Sequence, residues 1–416
     1  MFVIQCSMFG KTENIKTRTS KNEHRNNMKA YNTQWSVNDF IQNIAQKWFQ
    51  KGFLKQEQYS AIKQEYHSDY NNPNIFLKIG LFIFTILAAS FSVGLLSFFL
   101  ILPFEGNYNL GIIFQSLFLG IAFTFILEFL IKNNKLYHSG VDNALIYMAL
   151  GAFCAAFFFI FENTKTPTWF MLSLYLPFFM VASIRYADVL VTISTYLLSL
   201  AIVILISFEF AWGKILLPFI IIIFSIIAYL FQKKLSQRDD YLYYEKCLDM
   251  LKTLALVTLY LGGNYLIVRE GNAQINQILD FSPQIAFAPM FYCFTIIIPI
   301  VYIFFGLKNH DRLLLILGIL AVGFSIFTYR FYFSMLPIEI ALTLGGVFLI
   351  ALAGVCIHYL RKPKYGITSE PNDGLKGLNL ESIIISQVIQ SKIPQQGDTF
   401  QLGGGDVGGG GAGGNY

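Results

Sequence analysis

The sequence predicts an all-α integral membrane protein: a polytopic bundle of about ten transmembrane helices preceded by a small N-terminal helical hairpin. Three observations carry this. Of 416 residues, 55% are hydrophobic and only 13% charged, against about 25% charged in an ordinary soluble domain. The apolar residues concentrate between residues 78 and 360, and both ends are polar. Blocks such as Ile79–Leu102 and Leu110–Ile131 reach the roughly 20 residues that a hydrocarbon core about 30 Å thick requires at about 1.5 Å of rise per residue.

Residues 1–35 read as a disordered basic arm, with Lys11, Lys16, Arg18, Lys21, Arg25 and Lys29 and no secretory signal. Met28 is a second candidate start. Residues 36–77 read as a cytoplasmic helical hairpin. Ser36 and Asp39 resemble a capping box, and Phe40, Ile41, Ile44, Ala45, Trp48 and Phe49 line one helix face. Gly52 is the expected stop, and a second helix carries Leu54, Tyr59, Ile62 and Tyr66 on its apolar side. So small a pair has little core of its own, which favours docking on the bundle.

The transmembrane bundle is expected over residues 78–361. After the first two blocks come Asn143–Phe161, Trp169–Ile184, Val189–Phe208, Ile215–Phe231, Leu251–Val268, Ile285–Phe305, Leu313–Phe327 (extending toward Phe333) and Pro337–Leu360. With the N-terminus in the cytoplasm, the inner loops hold Lys132, Lys135, Arg185, Lys233, Lys234, Arg238, Lys246, Lys252, Lys308 and Arg312. The outer loops hold Lys165, Lys214, Arg269 and Arg330. That bias places both termini in the cytoplasm. Residues 362–416 read as a flexible cytoplasmic tail with a short apolar helix at LESIIISQVI and a glycine-rich end.

No ionisable residue falls near the middle of any expected span, which weakens a proton-coupled pump. Glu128 lies about a turn from Lys132, and Arg185 can snorkel at an inner end. Arg330 and Glu339 flank a tight outer turn; they read either as a headgroup-level anion site or as a structural ion pair. Pro177 and Pro299 stand inside expected helices, where proline removes a backbone donor and tends to kink the helix. Such breaks build midplane binding sites in some membrane proteins and serve packing alone in others. Gly151 with Ala155, Ala152 with Ala156, and Ala341 with Gly345 permit close helix approach.

The five cysteines and five histidines are scattered, with no disulfide framework and no zinc spacing. No phosphate loop, nucleophile elbow or metal loop occurs, so no catalytic, cofactor or metal residue is expected. The lipid bilayer is the expected partner, with protein contacts through the hairpin and the tail, and no nucleic acid.

The run WFQKGFLKQEQYSAIKQEY, continuing through NNPNIFLKIGLFIFTILAASFSVGLL, resembles the bacterial family of predicted membrane proteins described as domain of unknown function 2157. The resemblance covers about residues 36–102 and rests on the Gly52-Phe53-Leu54 turn, the acidic-polar second helix and the entry into the first span. It implies a protein of the bacterial cytoplasmic membrane and carries over no functional residue. A non-enzymatic scaffold, sensor or assembly factor is the expected role. The alternative is a transporter of an apolar, lipid-like or small neutral solute working through Pro177 and Pro299.

Overall fold

Hydrophobic periodicity and backbone satisfaction dictate helices, because lipid offers no partner for a free N–H or C=O. The computed structural model describes residues 28–332 except 72, 102–103, 105–106, 239–240 and 279–281, together with scattered positions from 340 to 358. Helix α1 spans Thr33–Gln50 and α2 spans Gln56–Glu65. The long apolar series follows as α3 (Ile75–Ile101), α4 (Tyr108–Asn134), α5 (Val141–Phe161), α6 (Thr168–Tyr186), α7 (Val189–Phe208) and α8 (Gly213–Leu235). Then come α9 (Tyr241–Gly263), the short α10 (Tyr265–Ile275), α11 (Ala288–Lys308) and α12 (Arg312–Tyr332).

Eight of these, α3–α8, α11 and α12, are long and apolar enough to cross a membrane, or nine if the bent pair α9–α10 forms one further span. The expected tenth span, Pro337–Leu360, falls largely outside the described residues, as do residues 1–27 and the tail. One expectation is corrected. Leu251–Val268 is not a single helix: α9 ends at Gly263, and α10 departs at 75°. Beyond Arg269 the helix α10 continues to Ile275.

The N-terminal segment begins earlier than its cap suggested. Asn32, not Ser36, is the N-cap of α1, its side chain accepting from the Gln34 and Trp35 amides. The Ser36 hydroxyl instead donates to the Asn32 carbonyl at 3.1 Å. Gly52, at φ +74°, ends the helix in the left-handed region that glycine tolerates best. Phe49 and Tyr59 stack across the turn at 5.0 Å. Helix α1 buries Val37 and Ala45, whereas α2 buries nothing.

Antiparallel neighbours pack in sequence order, α4 on α5, α6 on α7, α9 on α8 and α12 on α11. A core forms around Leu127, Ile146, Val191 and Cys247, and smaller ones around Leu256, Tyr302 and Leu314 and around Tyr265 and Phe291. Of the expected small-residue faces, Ala156 is fully enclosed while Gly151 is exposed; Ala341 and Gly345 lie outside the described residues. Helix α3 has Ala89 as its one buried residue and shows Phe84, Phe91, Leu95 and Phe98 outward. Such a surface fits lipid and not water.

Candidate functional site

The end of the bundle that carries α1, here the proximal end, is built on two enclosed aspartates. Asp142 lies in the first turn of α5 and Asp188 is the N-cap of α7. Both sit at helix N-termini, where the helix dipole and free amides favour negative charge. Asp142 is completely buried and accepts from the Tyr31 hydroxyl at 2.6 Å, the Ser139 amide at 2.8 Å and the Ser139 hydroxyl at 3.0 Å. Asp188 accepts from the Val191 amide at 2.9 Å, the Asn143 side-chain amide at 2.5 Å and the Tyr147 hydroxyl at 3.0 Å. Neutral donors thus satisfy both carboxylates, and hydrogen bonds made in the interior fix the geometry of the groups that share them.

Tyr31 is the key that enters from the N-terminal segment. Burial and the Asp142 charge push its hydroxyl pKa well up, so it stays a donor. Its neighbours complete the fastening. Tyr70 stacks on Tyr137 at 4.4 Å, the Asn71 amide donates to the Lys135 carbonyl at 3.1 Å, and the Ala30 amide donates to the Arg185 carbonyl at 3.0 Å. Tyr243 and Tyr244 donate to the Arg185 and Ile184 carbonyls, each at 2.8 Å, closing the C-terminal end of α6. Gly140, at φ +98°, lets this turn press on α3; a Cβ there would meet the Lys78 carbonyl oxygen at 2.2 Å.

His138, among the histidines that looked scattered in the sequence, packs in this cluster beside Tyr31 and Tyr137. Burial lowers its pKa most; the nearby Asp142 and Asp188 raise it, and Lys246 and Lys78 lower it further. A depressed histidine pKa means the packed state holds the neutral ring. The stability it contributes is complete above the ordinary value of about 6.5 and is lost as pH falls below it. Protease cleavage within residues 33–65 is therefore expected to rise between about pH 7 and pH 5. His138→Gln, which cannot titrate there, should flatten that profile.

Glu128, about a turn from Lys132 in the chain, pairs with Arg185. The guanidinium is bidentate, Nε to Oε1 at 2.5 Å and Nη2 to Oε2 at 2.7 Å, and the Tyr186 hydroxyl adds a third donor at 2.6 Å. This pair stands at the proximal mouth of a sideways-opening apolar groove of about 680 Å³ between α4, α5 and α6. Pro177 lines that groove.

Pro299 does something different. Proline there leaves the Thr295 carbonyl without its helical donor, and the Ser325 hydroxyl of α12 fills the vacancy at 2.7 Å. Pro299 is fully enclosed. Pro177 and Pro299 therefore do not share a site. Ser325→Ala is expected to cost about 1 kcal/mol of stability in detergent unfolding. In a Pro299→Ala background, where the amide returns, the cost should largely vanish, and a double-mutant cycle measures the difference.

A second polar cluster marks the distal end. Asn264, completely buried, stands at the α9–α10 break. Its carbonyl caps α10 through the Leu266 and Ile267 amides at 3.0 and 3.3 Å, and its amide donates to Tyr260 and Thr328, both at 3.0 Å. The Tyr265 amide donates to the Thr295 hydroxyl at 2.9 Å. Arg269 donates to the Ser282 carbonyl and lies over the Tyr332 ring at 4.6 Å. Sequence reasoning missed this break; Gly262-Gly263-Asn264 inside an apolar run was its signal. Arg330 is half-buried in the last turn of α12, and its expected partner Glu339 lies outside the described residues.

Among the described residues no three His, Cys, Asp or Glu side chains gather as a metal site. Fold and polar clusters together define a polytopic helical membrane protein whose polar side chains fasten helix ends. Comparison with known protein families, with curated proteins and with solved structures returned no match.

Proposed function

We propose that this chain is a non-enzymatic scaffold, sensor or assembly factor of the bacterial cytoplasmic membrane, with both termini on the cytoplasmic side. The observation that supports it is the docking of residues 28–50. Tyr31 and α1 are fastened to the proximal end through Asp142, while α2 projects with all its residues outside the core. A fixed base under a solvent-facing polar helix suits protein contact, and the tail 362–416 supplies a second arm in this reading. The alignment of basic residues with the proximal end supports the orientation. Kinship of residues 36–102 with domain of unknown function 2157 belongs to the same proposal.

The test is purification of the full chain from native membranes, with and without substitution of the outer α2 residues Glu57, Lys63 and Gln64 by alanine. A protein that comes down in fixed ratio with the parent chain and is lost from the variant supports the scaffold. A chain that brings down only a defined solute overturns it. Reporter fusions within Gln232–Met250 should read as cytoplasmic; an external reading would reverse the orientation. A second reading, a carrier of lipid-like solute, is favoured by the groove that Pro177 lines and gains nothing from Pro299. Solute counterflow in vesicles would reveal it.

A further inference from the structure

The groove at Pro177 borders a second hollow at Phe125 and Glu128. The first, between α4, α5 and α6, has Leu127, Ile146 and Leu150 in its floor and the exposed side chains Ile121, Phe125 and Val181 on its rim. The second, of about 450 Å³, is bounded by Lys132, Lys135, Trp35 and Tyr70, and the two share Phe125 and Glu128. Along α4 the two hollows together extend from Ile121 to Lys132, about 16 Å at helical rise. That is the depth of one leaflet, half of a hydrocarbon core about 30 Å thick.

Polarity changes along this length as it does along a lipid. The inner stretch is walled by aliphatic and aromatic side chains. The proximal stretch holds cations at the level where α4 and α6 end. There Glu128 is already matched by Arg185 and the Tyr186 hydroxyl, and Lys135 is shared with Asp69 and the Trp35 ring. Lys132 is exposed, with no acidic partner among the described residues. The charge left over beside the apolar channel is therefore positive.

We propose that this cleft holds one anionic phospholipid of the proximal leaflet. An acyl chain lies along Leu127, Ile146 and Leu150, and the headgroup phosphate lies at Lys132. An apolar wall alone does not select among lipids; the lysine at its mouth does, through an attraction that a zwitterionic headgroup cancels. The site goes beyond the scaffold reading and stands on the membrane fold alone.

The experiment uses the full chain in nanodiscs of equal parts phosphatidylglycerol and phosphatidylcholine, moved to detergent and read by native mass spectrometry. One phosphatidylglycerol per chain is expected to survive delipidation. Lys132→Gln should lower its retention about fivefold, the worth of one lysine near an anionic surface, and Lys132→Arg should restore it. Val181→Trp, at an exposed rim position, should expel the lipid by filling the groove, with Ile121→Trp on the facing rim as a second variant should the first misfold. Equal retention of phosphatidylcholine, or retention indifferent to both the lysine and the rim substitutions, overturns the site. Displacement of the lipid by soluble glycerol phosphate would also overturn it, since the headgroup alone would then suffice. None of these outcomes depends on whether a protein partner is found.

Discussion

Asp142→Ala is expected to be the most damaging single substitution at the proximal end, lowering stability by about 3–5 kcal/mol. The carboxylate is fully enclosed, and its three donors belong to Tyr31 and Ser139, themselves 3% and 1% exposed. Alanine leaves a phenol, an amide and a hydroxyl without the carboxylate that accepted from all three, and with no route to water. Each such orphan costs about 1–3 kcal/mol. The loss has a location as well as a size, because Tyr31 is the point where the N-terminal segment enters the core. Limited proteolysis should therefore open residues 33–65 before the bundle melts, and thermal unfolding in detergent should shift down. Tyr31→Phe removes one donor and leaves the carboxylate two others, so it should cost only about 1 kcal/mol. An Asp142→Ala protein that melts like the parent with its N-terminal segment still protected would refute the fastening role.

Asn264→Leu is expected to be the corresponding blow at the distal end, at about 2–4 kcal/mol. Asn264 caps α10 with its carbonyl and ties it to α9 and α12 through its amide. Leucine removes both and leaves Thr328 and two helix-terminal amides to find other partners. The geometry should change with the energy. Between Met250 and Gln274 a continuous helix would measure about 36 Å at ordinary rise, and the 75° bend makes the present span shorter. Spin labels at those two positions should report a longer distance in the variant. An unchanged distance would show that Gly262 and Gly263, pressed against Ile221 and Ile298, set the bend without the asparagine.

Much of the fold was legible because lipid imposes a one-dimensional rule. A span must be apolar for about 20 residues, so Val189–Phe208 was read to the residue and its neighbours to within a few. Where the rule fails, the reading failed with it. The apolar run across Leu261–Val268 contains a buried break that hydropathy cannot see, because Asn264 is satisfied by Tyr260 and Thr328, far away or on the other side of the turn. Asp142 and Asp188 escaped notice for the same reason. In the chain they look like loop acids next to helix starts, and only tertiary folding brings Tyr31 and Tyr147 to them. Glu128 had an obvious partner four residues on, yet a bidentate arginine with a fixed fork, held at the end of a neighbouring helix, is the better one.

The amino-acid order alone determined that the central chain crosses lipid, roughly where each helix begins, and which end gathers positive charge. Those are properties of single segments meeting a solvent, and a segment carries them wherever it lies. The tertiary structure alone decided which polar side chains meet, where the bundle bends, and that Pro177 lines a groove while Pro299 is sealed by Ser325. Those are properties of pairs, and a pair distant in sequence has no energy until packing closes the distance between its members.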